Sequence, residues 1–222
     1  MAYDYGPPAC PLEETLTAIQ EGLIREYRAE CLSAHRRSPR RTRRLRRIRG
    51  WSREIEGLIS QVGRVVRETL PRIERDTGHT FQGPDGLLRI LMDTSTKRLF
   101  LDILAGFPEE SLPVPAKDLG MLGMFPNDSR ALALIGDVTL RLKVLSGPHG
   151  EVIDLAALSD RWGLHESLLG LACRRRPAGE PLVREKETLS RAVLGLIYIE
   201  GGTDALGGAV SLLGCGPGGV TG

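Results

Sequence analysis

The chain has 222 residues, 41% of them hydrophobic, and a net charge of +2, which suits one or two domains with a core. No apolar run approaches the ~18 residues of a membrane span, and the four scattered cysteines match neither a disulfide framework nor a zinc site. The start, MAYDYGPPACPLEE, has neither the basic segment nor the apolar core of a signal peptide. We therefore expect a cytoplasmic protein with no membrane partner.

Most of the positive charge lies in the first 70 residues. Residues 1–70 contain 14 arginines against 9 acidic residues, whereas residues 71–222 contain 16 Lys and Arg against 19 acidic residues. Apolar residues at three- and four-residue steps predict an amphipathic helix over about 12–34. A second apolar stripe follows Ser52, a predicted N-cap, and is expected to end at Pro71. Residues 1–70 are thus predicted to form a basic helical N-terminal extension.

Between these two helices lies the segment HRRSPRRTRRLRRIRG, in which Pro39 and Gly50 are expected to prevent a continuous helix. Clustered arginines displace counterions from nucleic acid and match phosphate groups well. The run therefore predicts contacts to the RNA backbone and its shape, without sequence readout. A solvated linker is the other interpretation. The predicted RNA-binding residues are Arg36, Arg37, Arg40, Arg41, Arg43, Arg44, Arg46, Arg47 and Arg49.

The rest of the chain has the apolar periodicity of helices and no convincing strand. One helix is expected to start near Asp85, after a proline that suits a first turn, and another covers 128–146. A long apolar helix is expected to end at Gly201-Gly202, after which Thr203 caps a last helix. Residues 215–222 are predicted to be a flexible Gly-rich tail. The predicted fold class is all-α.

Four segments of this region resemble, in order, the nuclease domain of the ribonuclease III family. They are IERDTGHTFQGPDGLLRILMDTS, SRALALIGDVTL, LAALSDRWGLHESLL and LSRAVLGLIYIEGG. The resemblance covers residues 71–214 and implies a ribonuclease III-like helical domain that forms a homodimer and acts on structured or double-stranded RNA. No segment resembling the family's double-stranded-RNA-binding domain follows in this sequence.

The family's catalytic site is an acidic cluster that holds Mg²⁺ between two signature helices, since Mg²⁺ prefers hard oxygen ligands. Only one of the five corresponding positions is a carboxylate here. Those positions are Asp137, Arg130, Ala133, Thr188 and Arg191. Asp137 lies in the apolar run ALALIGDVTL, where an ionised side chain needs a partner. We predict that Arg130 or Arg191 pairs with Asp137 in place of a metal.

These features predict a non-catalytic RNA-binding protein that acts in RNA processing or in ribosome-associated complexes. No cofactor is expected. The expected partners are structured or double-stranded RNA and a second copy of the chain. Two alternatives stay open. One is an active Mg²⁺-dependent double-stranded-RNA endoribonuclease with rearranged ligands, in which Asp137 would contribute to the metal site. The other is a dimerisation or protein-interaction module. The four histidines have no carboxylate or cysteine at a suitable spacing, so structural or surface roles are predicted for them.

Overall fold

The computed structural model describes residues 11–32, 39–107, 112, 114–124, 128–146, 153–171 and 178–214. Helices dominate these residues, and their only β contact is an isolated bridge between Met92 and Leu169. The all-α prediction is confirmed for this part of the chain. No described helix has both the length and the apolar character needed to cross a bilayer. The helices are α1 (Leu12–Leu32), α2 (Pro39–Arg64), α3 (Leu70–Thr77), α4 (Asp85–Leu91), α5 (Thr94–Gly106), α6 (Ala116–Met124), α7 (Asp128–Ser146), α8 (Leu155–Trp162) and α9 (Glu180–Gly214).

The chain divides into two compact units that are built from interleaved segments. The first unit comprises the described residues of Met1–Val62, Met92–Phe125 and Leu169–Arg174. The second unit comprises those of Gly63–Leu91, Pro126–Leu168 and Arg175–Gly222. The described arginines of the basic run therefore belong to the first unit, and Asp137 belongs to the second.

In the first unit, α1 and α2 form the predicted helical hairpin. Ser52 donates a hydrogen bond to the side-chain oxygen of Gln20, and Arg49 donates to the hydroxyl of Tyr27. Because later residues of α1 meet earlier residues of α2, the two helices are antiparallel. Their buried apolar side chains include Leu16, Ile19, Leu23, Ile48, Ile55 and Leu58.

The prediction that a helix stops at Gly50 and that the basic run is the connection between two helices is wrong, because α2 begins at Pro39 and continues through Gly50. Proline is tolerated at the first position of a helix, where its missing N–H has no intrahelical partner to lose. A mid-helix glycine costs about 1 kcal/mol relative to alanine, and burial of neighbouring Ile48 and Trp51 offsets that cost. Ser52 lies inside α2 and is not an N-cap.

The predicted helix end at Pro71 is also wrong. Val65–Thr69 form a π-helical turn, in which the N–H of Leu70 donates to the carbonyl of Val65. Pro71 then falls in the first turn of α3, where no N–H is required, and α3 ends at Thr77 with Gly78 as its C-cap at a φ of 68°. Arg36, Arg37 and the predicted tail 215–222 lie outside the described residues.

The centre of the second unit is the crossing of α7 and α9. A Cβ added to Gly136 would clash with the carbonyl oxygen of Arg191, so the two backbones are in direct contact there. Around this crossing, α9 buries Leu189, Val193 and Ile197. The helix starts at Asp85 and Asp128 and the break at Gly202 (φ 70°, ψ −162°) agree with the sequence predictions.

Candidate functional site

Asp137 lies one residue beyond the crossing glycine of α7 and has two arginine partners. Its Oδ1 is 3.3 Å from the Nε of Arg191 on α9, and its Oδ2 is 3.0 Å from an Nη atom of Arg141. The Arg191 contact is an ion pair without hydrogen-bond geometry at Nε, while an Nη atom of Arg191 donates to Glu187 at 3.1 Å. The predicted pairing of Asp137 with Arg191 is confirmed.

The other three residues at the positions of the family's acidic cluster form no ion pair with Asp137. Arg130 is exposed and forms no ion pair with Asp137, so of the two predicted partners Arg191 is the one that pairs. Seven residues correspond to about 10 Å along a helix, whereas Arg141 is only one turn away. Ala133 is buried, and the hydroxyl of Thr188 donates to the carbonyl of Arg184 within its own helix.

The residues around Asp137 do not fit a divalent cation. In proteins Mg²⁺ is bound through one or two carboxylates together with waters and substrate phosphates, and a guanidinium beside those carboxylates competes with it for their charge. Both oxygens of Asp137 face a guanidinium group. Across the described part of the chain, no group of three or more His, Cys, Asp or Glu side chains is placed to hold a metal. The chemistry available at Asp137 is therefore charge pairing that links α7 to α9.

Two histidines have carboxylate partners that the sequence spacing did not reveal. The Nε2 of His79 lies 3.3 Å from Glu200, and the Nε2 of His165 lies 3.2 Å from Glu185. Glu200 also accepts a hydrogen bond from the backbone N–H of Gln82 at 3.1 Å. Glu200 thereby fastens the turn after α3 to α9, which agrees with the structural role predicted for His79.

The described arginines of the basic run fall into two groups. The first group contacts α1. Arg41 pairs with Glu30 at 3.8 Å, Arg44 lies 3.6 Å from Glu26 and 3.8 Å from Glu30, and Arg49 stacks on the ring of Tyr27. These three side chains hold the hairpin together, so the nine predicted RNA-binding residues are not equivalent.

The second group, Arg40, Arg43, Arg46 and Arg47, is exposed. Within the described part of the chain none of the four has an acidic partner, and the guanidinium of Arg47 lies over the ring of Trp51, 5.7 Å from its centroid. Arg40, Arg43 and Arg47 recur at three- and four-residue steps and share one face of α2. We call these three residues the free arginine face. What distinguishes the two groups is whether the side chain contacts α1. The sequence alone does not show which arginines face α1.

No family model, curated protein or solved structure matches this chain. The ribonuclease III resemblance therefore rests on the four sequence segments and on residue positions.

Proposed function

We propose that the chain is a ribonuclease III-like, non-catalytic protein that binds structured or double-stranded RNA and acts in RNA processing or in a ribosome-associated complex. The observation that carries this proposal is the free arginine face. Its three guanidinium groups lie on one rigid helix and have no acidic partner among the described residues. An arginine of this kind is available to an external anion, whereas Arg41 and Arg44 already neutralise acids of α1.

Phosphate is the anion that best suits this face. Guanidinium groups are planar, permanently charged and able to donate two parallel hydrogen bonds to phosphate oxygens. Arg40 and Arg47 are about 10 Å apart along the helix axis, so the face can meet more than one phosphate of a nucleic-acid strand. Such contacts fix the position of a duplex without selecting its sequence.

The surroundings of Asp137 support the non-catalytic part of the proposal. Hydrolysis of a phosphodiester in this family requires carboxylates that hold a metal against the scissile phosphate. Arg141 and Arg191 instead place two positive charges at the one carboxylate that remains. They would repel the cation that the chemistry needs.

Replacing Arg40 and Arg43 by glutamine should weaken binding to a double-stranded RNA of about 16 base pairs. The slope of log Kobs against log salt concentration should fall by about two, because each lost phosphate contact lowers it by about one. Fluorescence anisotropy of the labelled duplex over a salt series measures both quantities.

The matched control is the double variant Arg75→Gln with Arg98→Gln, which removes the same charge from exposed positions on α3 and α5. Its salt slope should stay within experimental error of the wild type. Equal losses in the two double variants would show that net charge alone governs binding and would contradict the assignment to this face. Cleavage of the duplex in Mg²⁺ that Asp137→Ala abolishes would contradict the non-catalytic assignment.

A second candidate function, self-association, is favoured by an apolar row on α7. Leu134, Val138 and Leu142 are 66%, 48% and 59% exposed and recur every four residues on one side of the helix. A two-fold axis near Val138 would place Leu134 of one copy against Leu142 of the other. The neighbouring Arg141 is already neutralised by Asp137. The row is therefore self-complementary, and we propose that a second copy of the chain covers it.

Leu134→Glu should convert the chain from dimer to monomer at micromolar concentration, because a carboxylate buried in an apolar interface has no partner. Sedimentation velocity measures the change. Leu212→Glu is the matched control, since Leu212 is 53% exposed on α9 and lies outside the row. A wild-type chain that is monomeric at these concentrations, or a dimer that Leu134→Glu leaves intact, would exclude this interface.

A further inference from the structure

Two adjacent hollows open beside Arg47 and Trp51 in the first unit. The first, which we call the basic hollow, has a volume of about 290 Å³ and is lined by Arg40, Arg43, Arg44, Arg47, Ile48, Trp51, Gly106 and Phe107. The second, which we call the acidic hollow, has a volume of about 380 Å³ and is lined by Arg47, Trp51, Asp102, Ala105 and Gly106. Because they share three residues, a single ligand can occupy both.

The floor of the basic hollow is a buried aromatic pair over which two of its arginines lie. The rings of Trp51 and Phe107 pack with centroids 5.7 Å apart, and both residues are buried. A Cβ on Gly106 would clash with the indole of Trp51, so the absence of a side chain there allows the ring to lie against the end of α5. Arg44 lies over the ring of Phe107 at 5.9 Å and Arg47 over that of Trp51 at 5.7 Å.

Stacking of this kind restrains a guanidinium plane while its N–H groups stay available at the edge. Because Arg44 already pairs with Glu26 and Glu30, Arg47 is the stacked arginine that stays available, and it can bind an oxyanion at a smaller entropic cost than a freely rotating side chain. A compact oxyanion such as a phosphate fits a hollow near the lower end of the size range for small-ligand sites, whereas a nucleic-acid duplex does not enter it.

The acidic hollow selects a different group. Asp102 is exposed on α5, and no ion pair joins it to Arg47, although both line this hollow. A carboxylate repels a phosphate but accepts a hydrogen bond from a hydroxyl group. A ligand that carries an anion and, within a few ångströms, a hydroxyl donor therefore satisfies both hollows.

We propose that the two hollows bind one unpaired ribonucleotide of an RNA strand, with its phosphate in the basic hollow and its ribose in the acidic hollow. Asp102 accepts a hydrogen bond from the ribose 2′-hydroxyl, which is the group that distinguishes RNA from DNA. The inference rests on the proposed RNA-binding function and deepens it: the free arginine face binds backbone phosphates, and Asp102 makes the binding specific for ribose.

The test compares fluorescein-labelled pentamers of oligo(A) and oligo(dA), titrated with the full chain and followed by anisotropy. Wild-type protein should bind the RNA pentamer about fivefold more tightly, the effect of one hydrogen bond. Asp102→Ala should weaken RNA binding about fivefold and should leave DNA binding unchanged or slightly tighter, so that the preference disappears. Alanine is favourable at an exposed helix position, so the variant is expected to fold.

The direction in which Asp102→Ala changes the affinity for RNA distinguishes a ribose contact from a purely electrostatic effect. Removing a negative charge near a polyanion should, without a ribose contact, tighten binding of both pentamers equally. Glu56→Ala, which removes an exposed acid of α2 outside both hollows, should show that electrostatic behaviour. Equal tightening of both pentamers by Asp102→Ala would therefore overturn the inference.

The remaining outcomes are also decisive. Equal affinity of the wild type for the two pentamers would overturn the ribose contact while leaving duplex binding by the arginine face intact. An affinity for adenosine monophosphate within tenfold of that for the RNA pentamer would assign the hollows to a free nucleotide and overturn the assignment to an RNA strand. Failure of both the pentamers and the duplex to bind would overturn the inference together with the proposed function.

Discussion

Gly195→Ala should lower the free energy of unfolding by about 3 kcal/mol, near the upper end of the usual cost of overpacking a core. A Cβ at this position would clash with the carbonyl oxygen of Leu132. It would also lie 3.0 Å from the carbonyl carbon of Leu132 and 3.1 Å from the backbone nitrogen of Gly136. These are backbone atoms of α7, so no side-chain rotation relieves the overlap. The two helices would have to separate, and the pair between Asp137 and Arg191 would weaken with them.

Gly208→Ala provides a matched control in the segment of α9 that follows the break at Gly202. A Cβ at Gly208 meets nothing within 4 Å, and alanine there should raise the free energy of unfolding by about 0.8 kcal/mol through helix propensity. Urea unfolding followed by far-UV circular dichroism compares the two variants. Equal effects of the two substitutions would show that α7 and α9 do not cross at Gly136 and Gly195.

The sequence predicts the starts of α4 and α7 and the break in α9, because these positions have local causes. Asp85 follows a proline, Asp128 begins an apolar periodic segment, and Gly202 adopts a positive φ that glycine accommodates readily. The start of α2 could not be predicted from its own sequence, because it depends on contacts with α1. In the sequence, a run of arginines with Pro39 and Gly50 is typical of a linker. In the structure, Glu26 and Glu30 of α1 neutralise part of its charge, and the run is helical.

The same distinction applies to the candidate sites. Pairing of Asp137 with Arg191 could be predicted because two motif positions carried opposite charges, and Arg141 could have been added from its four-residue spacing. His79 and Glu200 are 121 residues apart, so no local pattern joins them. Asp102 gave no signal either, because its proximity to Arg47 and Trp51 depends on how α5 packs against α2.

Arg191→Glu should convert the neighbourhood of Asp137 into a site that responds to divalent cations. Glu187 already lies within hydrogen-bond distance of the side chain of Arg191, so the substitution places a new carboxylate beside those of Asp137 and Glu187. Without metal the variant should lose about 2 kcal/mol of stability, because a half-buried ion pair becomes mutual repulsion. Manganese at about 100 times its Kd should restore about 2.7 kcal/mol.

Thermal unfolding with and without Mn²⁺ measures this response, and Arg191→Gln isolates its cause. The glutamine variant loses the same ion pair and gains no carboxylate, so its melting temperature should fall without recovering in Mn²⁺. The wild type should not respond, since Arg141 and Arg191 occupy the positions around Asp137 from which a cation would be bound. Equal stabilisation of all three proteins by Mn²⁺ would mean that the metal binds elsewhere. Stabilisation of the wild type that Asp137→Ala abolishes would mean that the arginines do not exclude it.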